Sequence, residues 1–239
     1  MKILLVSHLN NTYKGKEAEV IHFPTIKTVA LEFGKIDAQY FDVLLFTSTK
    51  GIKYFFQKEN PQNYKEKFFI AVGEKTLTAL EKLGFSNVHI PKEQTAQGIV
   101  TFLEENYSFF KRKKILFPRA KDGRREILQL KDRFDIFWID VYSTVINIPK
   151  NKIQVKKLLG KNHIDAVCFT SPMTFKNFSK IFENQPKEIL KGKVISSIGK
   201  TTQKEIEKAG IKVSFVPKKA SVEDLVKGTV SYIASKTST

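Results

Sequence analysis

The chain repeats itself. The segment Asp42-Val43-Leu44-Leu45-Phe46-Thr47-Ser48 is answered by Asp165-Ala166-Val167-Cys168-Phe169-Thr170-Ser171, at an offset of 123 residues. Farther on, Ala71-Val72-Gly73-Glu74-Lys75-Thr76 is answered by Ser197-Ile198-Gly199-Lys200-Thr201-Thr202, at an offset of 126. This second register persists through Gly84 and Gly210, Pro91 and Pro217, and Thr95 and Ser221. A register held this long reads as two copies of one structural unit. A length of 239 residues is comfortable for two domains of about 100–120 residues each.

Each copy alternates short apolar runs with helical patterns. In the first, strands are expected over 43–46, 68–72, 87–90, 115–117 and 134–142, and helices over 49–57, 75–83, 95–105 and 124–130. Strands alternating with helices imply parallel sheets with right-handed crossovers. The second copy ends before a strand equivalent to 115–117, whereas the opening run Ile3-Leu4-Leu5-Val6 has no partner before Asp42. The N-terminal strand is therefore expected to complete the C-terminal sheet. The predicted fold class is α/β: two related parallel-sheet, flavodoxin-like domains joined by a two-stranded β linker, one of them discontinuous. The expected domains are 1–25 plus 148–239 and an inserted 29–143, with linkers at 24–28 and 143–149. The tail from Ser235 is expected to fray.

Composition narrows the function. Hydrophobic residues make up 41%, ordinary for packed cores, and no apolar run approaches the roughly 20 residues of a membrane span. The N-terminus reads as a strand rather than a signal peptide. With one cysteine, Cys168, no internal disulfide or cysteine-based zinc site is available, and a cytoplasmic protein fits. His8, His22, His89 and His163 lack ligand spacing, so no metal is expected. The formal charge of +17 fits either a Lys-rich solvated surface or a polyanionic ligand. Lys111-Arg112-Lys113-Lys114 reads as a solvated turn, and no nucleic-acid or membrane partner is expected.

Ligands of parallel sheets bind beyond the carboxyl ends of the strands. Here those ends lead into helix starts rich in capping groups. Ser171-Pro172 sets a hydroxyl before a first-turn proline, and Thr202 with Glu205 and Ser221 with Asp224 fit capping boxes. Gly73 and Gly199 would let the backbone approach closely. Such helix starts offer N–H groups to anions, although caps and glycines also serve helices alone. Gly199-Lys200-Thr201 is not a P-loop ending, because the required preceding glycine is Val194. Cys168, between Val167 and Phe169, reads as core rather than nucleophile.

In order, Phe46-Thr47-Ser48, Val72-Gly73 with Thr76, Pro118-Arg119 with Gly123-Arg124-Arg125-Glu126, Val141-Tyr142 with Thr144, Phe169-Thr170-Ser171-Pro172 and Ile198-Gly199 with Thr201-Thr202 resemble the uroporphyrinogen-III synthase family. The match runs over about four-fifths of the chain, from Asp42 to Ile233. The resemblance implies a lyase that cyclises hydroxymethylbilane, a linear tetrapyrrole with carboxylates on every ring. It does so with loss of water and inversion of the last pyrrole through a spiro intermediate, using no cofactor. It implies a monomer, with hand-off from hydroxymethylbilane synthase as a partnership the chemistry allows. Tyr142 matches the family's cleft tyrosine, either a proton donor or a packed linker residue. Thr76, Thr201 and Thr202, with Ser48, Ser171, Gly73 and Gly199, would bind carboxylates, cap helices, or both. Lys50, Arg119 and Arg124 are candidate carboxylate partners or surface groups. The family usually opens with a strand and a full helix; here only about 14 residues separate Val6 from the strand 20–23, so the first crossover helix is expected to be reduced or missing. The competing reading is a non-catalytic two-domain binder of an anionic small molecule.

Overall fold

In a computed structural model, which describes residues 1–8, 13, 15–123 and 125–237, the chain divides into two compact units. One is continuous, Thr28–Thr144; the other joins Met1–Lys27 to Val145–Thr239.

The continuous unit contains β3 (Val43–Phe46), β4 (Phe68–Ala71), β5 (Val88–His89), β6 (Ile115–Ala120) and most of β7 (Ile136–Ile146), in the order β5-β4-β3-β6-β7. Every pairing is parallel; Val43 lies opposite Phe68 on one side and Ile115 on the other, and Ile115 lies opposite Ile136. The central strands β3 and β4 are apolar without interruption because both faces are covered. Leu44 and Phe46 point into a core with Ile52, Phe55, Leu80 and Tyr142, whereas Val43 and Leu45 point into one with Ile99, Leu103 and Ile127. The first core lies under α1 (Thr49–Phe55) and α2 (Glu74–Glu81), the second under α3 (Ala96–Glu105) and the short α4 (Tyr107–Phe110) that follows it. Helix α2 ends just before Gly84, whose φ of +87° is the left-handed stop a glycine supplies.

The discontinuous unit contains β1 (Lys2–His8), the first part of β2 (Glu19–Ala30), β8 (Ala166–Phe169) and β9 (Val194–Ser197), in the order β2-β1-β8-β9, again all parallel. A parallel bridge from Ser196 to Phe215 adds a fifth position. Counted along the chain this is 2-1-3-4-5, the flavodoxin order. The continuous unit has the same spatial arrangement with its chain order permuted to 3-2-1-4-5. The N-terminal strand does complete the C-terminal sheet, as the repeat requires. Helices α5 (Lys152–Gly160), α6 (Pro172–Ile181) and α8 (Lys200–Lys208) flank it, with the short α7 (Pro186–Ile189) and the final α9 (Val222–Thr237).

Register makes the equivalence residue-specific. Ile3 faces Ala166 as Ile115 faces Val43, which aligns β1 with β6. Both strands then shift register at the same place. Ser7 pairs with Pro24 and His8 with Ile26, while Arg119 pairs with Asp140 and Ala120 with Tyr142. Arg119, Asp140 and Tyr142 thus stand where Ser7, Pro24 and Ile26 stand in the other unit.

Three expectations are corrected. Helix 124–130 is instead a 3-10 turn over Ile127–Asp132. Thr202 does not cap α8; Gly199 does, without a side chain, and Thr202 is buried in the third helical position. The chain does not fray from Ser235, since α9 continues to Thr237. The stretch 24–28, Pro24 included, is strand within β2, and 143–146 is strand within β7. Between β1 and β2 none of the described residues is helical.

Candidate functional site

In the continuous unit the connections diverge between β3 and β6, since β3 leads to β4 on one side and β6 to β7 on the other. Beyond such a switch point a crevice forms at the carboxyl ends of the strands. A cleft of about 450 Å³ opens there, lined by Thr47 and Ser48 after β3, Arg119 and Ala120 of β6, Tyr142 of β7, and Gln94 and Thr95 at the start of α3. That size is ordinary for a small-molecule pocket.

Ser48 holds its place as the N-cap of α1, its Oγ accepting the Gly51 N–H at 3.0 Å. The same Oγ lies 3.2 Å from the Tyr142 hydroxyl. The Tyr142 ring is buried and stacks on Tyr54, centroids 5.2 Å apart at 24°. Tyr54 is fixed in turn, its hydroxyl donating to the Thr28 carbonyl at 2.9 Å. The phenol is therefore gripped at its ring and presented beside a hydroxyl at the cleft wall.

Arg119 is 6% exposed. Its Nη2 donates to the Gly123 carbonyl at 2.7 Å, and its Nη1 stands 3.8 Å from Asp140 Oδ1. That distance makes an ion pair but not a hydrogen bond. The Arg119 Nε and Asp140 Oδ1 are both buried without a hydrogen-bond partner among the described residues. Opposite, Thr95 caps α3, its Oγ1 accepting from the Gly98 N–H at 2.9 Å. Gln94 Oε1 accepts from the Glu74 N–H, 3.2 Å away, and so covers the start of α2.

Of the residues singled out from sequence, Ser48, Arg119 and Tyr142 line this cleft. Gly73 adjoins it: a Cβ there would stand 2.4 Å from Gln94 Oε1. Lys50 in α1 and buried Thr76 in α2 belong to the same unit but do not line it. Arg124 lies outside the described residues. Ser171, Gly199, Thr201 and Thr202 belong to the discontinuous unit. Ser171 and Thr174 form a reciprocal capping box at α6. Gly199 has open space beside its Cα, and Thr201 is exposed. Ser221 Oγ accepts the Asp224 N–H and donates to its carboxylate at the start of α9. Cys168 is fully buried, and burial pushes its thiol up to about 12 despite hydrogen bonds from Thr229 and Ser196. That is a core residue, not a nucleophile.

Sequence reasoning missed Thr47, Gln94, Thr95, Asp140 and Tyr54. Thr95 had a signal in its register with Ser221. Gln94 had none, since its role depends on folding back over α2. Among the described residues no cluster of His, Cys, Asp and Glu could hold a metal ion, and no helix is long and apolar enough to cross a membrane.

The family model described as uroporphyrinogen-III synthase HemD matches residues 7–227. A Methanocaldococcus jannaschii protein, provisionally named a uroporphyrinogen-III synthase, is 29% identical over 217 residues, spanning 89% of this chain and 88% of its own. The uroporphyrinogen-III synthase of Chlorobaculum parvum is 28% identical, spanning 82% of this chain and 81% of its own. In fold, the chain is similar to the crystal structure of uroporphyrinogen-III synthetase from Helicobacter pylori, with a TM-score of 0.61, 20% identity, and coverage of 96% of this chain and 98% of that one.

Proposed function

This chain belongs to the uroporphyrinogen-III synthase family of cyclising lyases, and from that premise we propose that the cleft between β3 and β6 holds the reacting end of hydroxymethylbilane. The Ser48–Tyr142 contact carries this reading. With Ser48 Oγ accepting from Gly51, its own proton is free to point at the Tyr142 oxygen. The phenol proton is then free for the departing hydroxyl of the substrate. As the C–O bond breaks, that proton goes to the oxygen and water leaves. The pyrrole nitrogen lone pair closes the azafulvene, and the last ring attacks its carbon to reach the spiro intermediate. A hydrogen-bonded chain of this kind polarises each member in the same direction.

The rest of the task is geometric, because unaided closure of this substrate gives the other isomer. Folding the linear chain and steering one closure over the other is catalysis by orientation. We assign Arg119, Lys50 and Arg124 to substrate carboxylates. The start of α8, with Gly199, Thr201 and Thr202, has no side-chain cap and would supply backbone N–H groups to the same end, whereas the starts of α2 and α6, at Gly73, Thr76 and Ser171, would do so only where a carboxylate displaces their present partners. The +17 charge would speed capture of a polycarboxylate. We place the enzyme in the cytoplasm as a monomer that takes its substrate from hydroxymethylbilane synthase.

The test supplies hydroxymethylbilane with and without the protein, then oxidises and separates the porphyrin isomers. Dominant type III product is expected. Type I product at the spontaneous rate would overturn the reading in favour of a non-catalytic binder.

A further inference from the structure

We propose that Asp140 is a positioning residue that governs how strongly Arg119 holds a carboxylate. The inference rests on the cleft taking a polycarboxylate, but not on turnover. The two residues are the last directly paired positions of β6 and β7 before the register shift. Arg119 is a desolvated cation with one donor spent on Gly123 and its Nε unspent. Asp140 stands close enough to balance its charge, yet 3.8 Å is too long to occupy a donor. A buried charge with an unmet donor and no hydrogen-bonded anion is costly, and such a site gains by accepting one.

The pair is not demanded by the fold. The other unit makes the same register shift with Ser7 opposite Pro24 and carries no charge there. The pair therefore occurs at only one of two equivalent bulges, the one beside the cleft lined by Tyr142 and Ser48. Arg119 attracts an incoming carboxylate, while Asp140 repels it and keeps the guanidinium oriented. Tuned this way, the site holds the chain during closure without retaining the polycarboxylate product.

The probe is uroporphyrin I, a stable polycarboxylate, bound at equilibrium and followed by its fluorescence. Asp140→Asn should bind it several-fold more tightly and lower the KM for hydroxymethylbilane. Arg119→Gln should weaken probe binding by at least about tenfold. The double variant should match Arg119→Gln alone, because Asp140 acts only through Arg119. Asp140→Glu, which keeps the charge, should stay near wild type and covers the case in which Asp140→Asn fails to fold. Weaker or unchanged binding in a folded Asp140→Asn protein, or an Asp140 effect that survives loss of Arg119, would overturn the proposal. Because binding is read apart from turnover, failure of the isomer assay would not be confused with failure here.

Discussion

Ser48 Oγ accepts the Gly51 N–H at 3.0 Å and meets the Tyr142 hydroxyl at 3.2 Å, so one side chain both starts a helix and supports a phenol. The two roles separate by substitution. Tyr142→Phe leaves the ring stacked on Tyr54 and removes only the hydroxyl, so kcat should fall roughly a hundredfold with the melting temperature little changed. Ser48→Ala should lower kcat less and also cost about 1 kcal/mol of stability through the lost cap. Wild-type kinetics in Tyr142→Phe would remove the phenol from the mechanism.

Tyr54 makes a second case, because it touches Tyr142 without lining the cleft. Its hydroxyl contacts both the carbonyl and the Oγ1 of Thr28, each at 2.9 Å. Tyr54→Phe keeps the stack and should cost about 1 kcal/mol of stability with kcat near wild type. Tyr54→Leu removes the stacked partner and should lower kcat several-fold, with KM little changed. If Tyr54→Leu left kcat intact, the stack would be packing alone.

The repeat made the architecture legible before any coordinates, since offsets of 123 and 126 residues can persist only if two sheets are built alike. It also placed Ser48 just past a strand end, whereas Tyr142, expected at the end of a strand over 134–142, lies within β7, which runs on to Ile146. What escaped were relationships that need the register. Asp140 faces Arg119 as the last pair of the β6–β7 register before the bulge, and Tyr142 comes opposite Ala120 only because β7 then slips by a residue; no periodicity announces the pairing or the slip. Gln94 covers the start of α2 from a loop that follows β5, a contact between residues 20 apart that neither helical nor strand spacing encodes. The helix expected at 124–130 reflected a local pattern that the turn overrode.

The two glycines matched by the repeat should respond differently to alanine. Both are extended, with φ of 176° at Gly73 and −174° at Gly199, so neither substitution strains the backbone. At Gly73 the new Cβ would displace Gln94, open the wall of the cleft and release the Glu74 N–H. KM for hydroxymethylbilane should rise several-fold. At Gly199 nothing lies within 4 Å, so alanine should leave KM near wild type, and stability should change little because the gain from restricting the unfolded chain is offset by placing alanine at the N-cap of α8. Parallel melting curves and steady-state kinetics on both variants check this; equal effects at the two positions would contradict the asymmetry.

Cys168 should show its burial in the pH dependence of stability. Burial first, opposed by Thr229 and Ser196, raises its thiol from 9.0 to about 12. Below pH 9 the thiol keeps its proton whether the chain is folded or not, and its contribution is complete. Between about pH 9 and 12 the unfolded chain sheds a proton that the folded chain retains. The contribution is therefore lost with a limiting slope of about 1.4 kcal/mol per pH unit. Cys168→Ala should flatten the fall over that window, though not abolish it, because burial and Glu59 also raise the Tyr64 phenol. Denaturant unfolding of both proteins at pH 8, 9.5 and 10.5 reads the difference in slope. The same burial predicts that a disulfide reagent labels the folded protein at pH 8 only at the rate of its unfolding, and immediate stoichiometric labelling would show that the thiol is not sealed in the core.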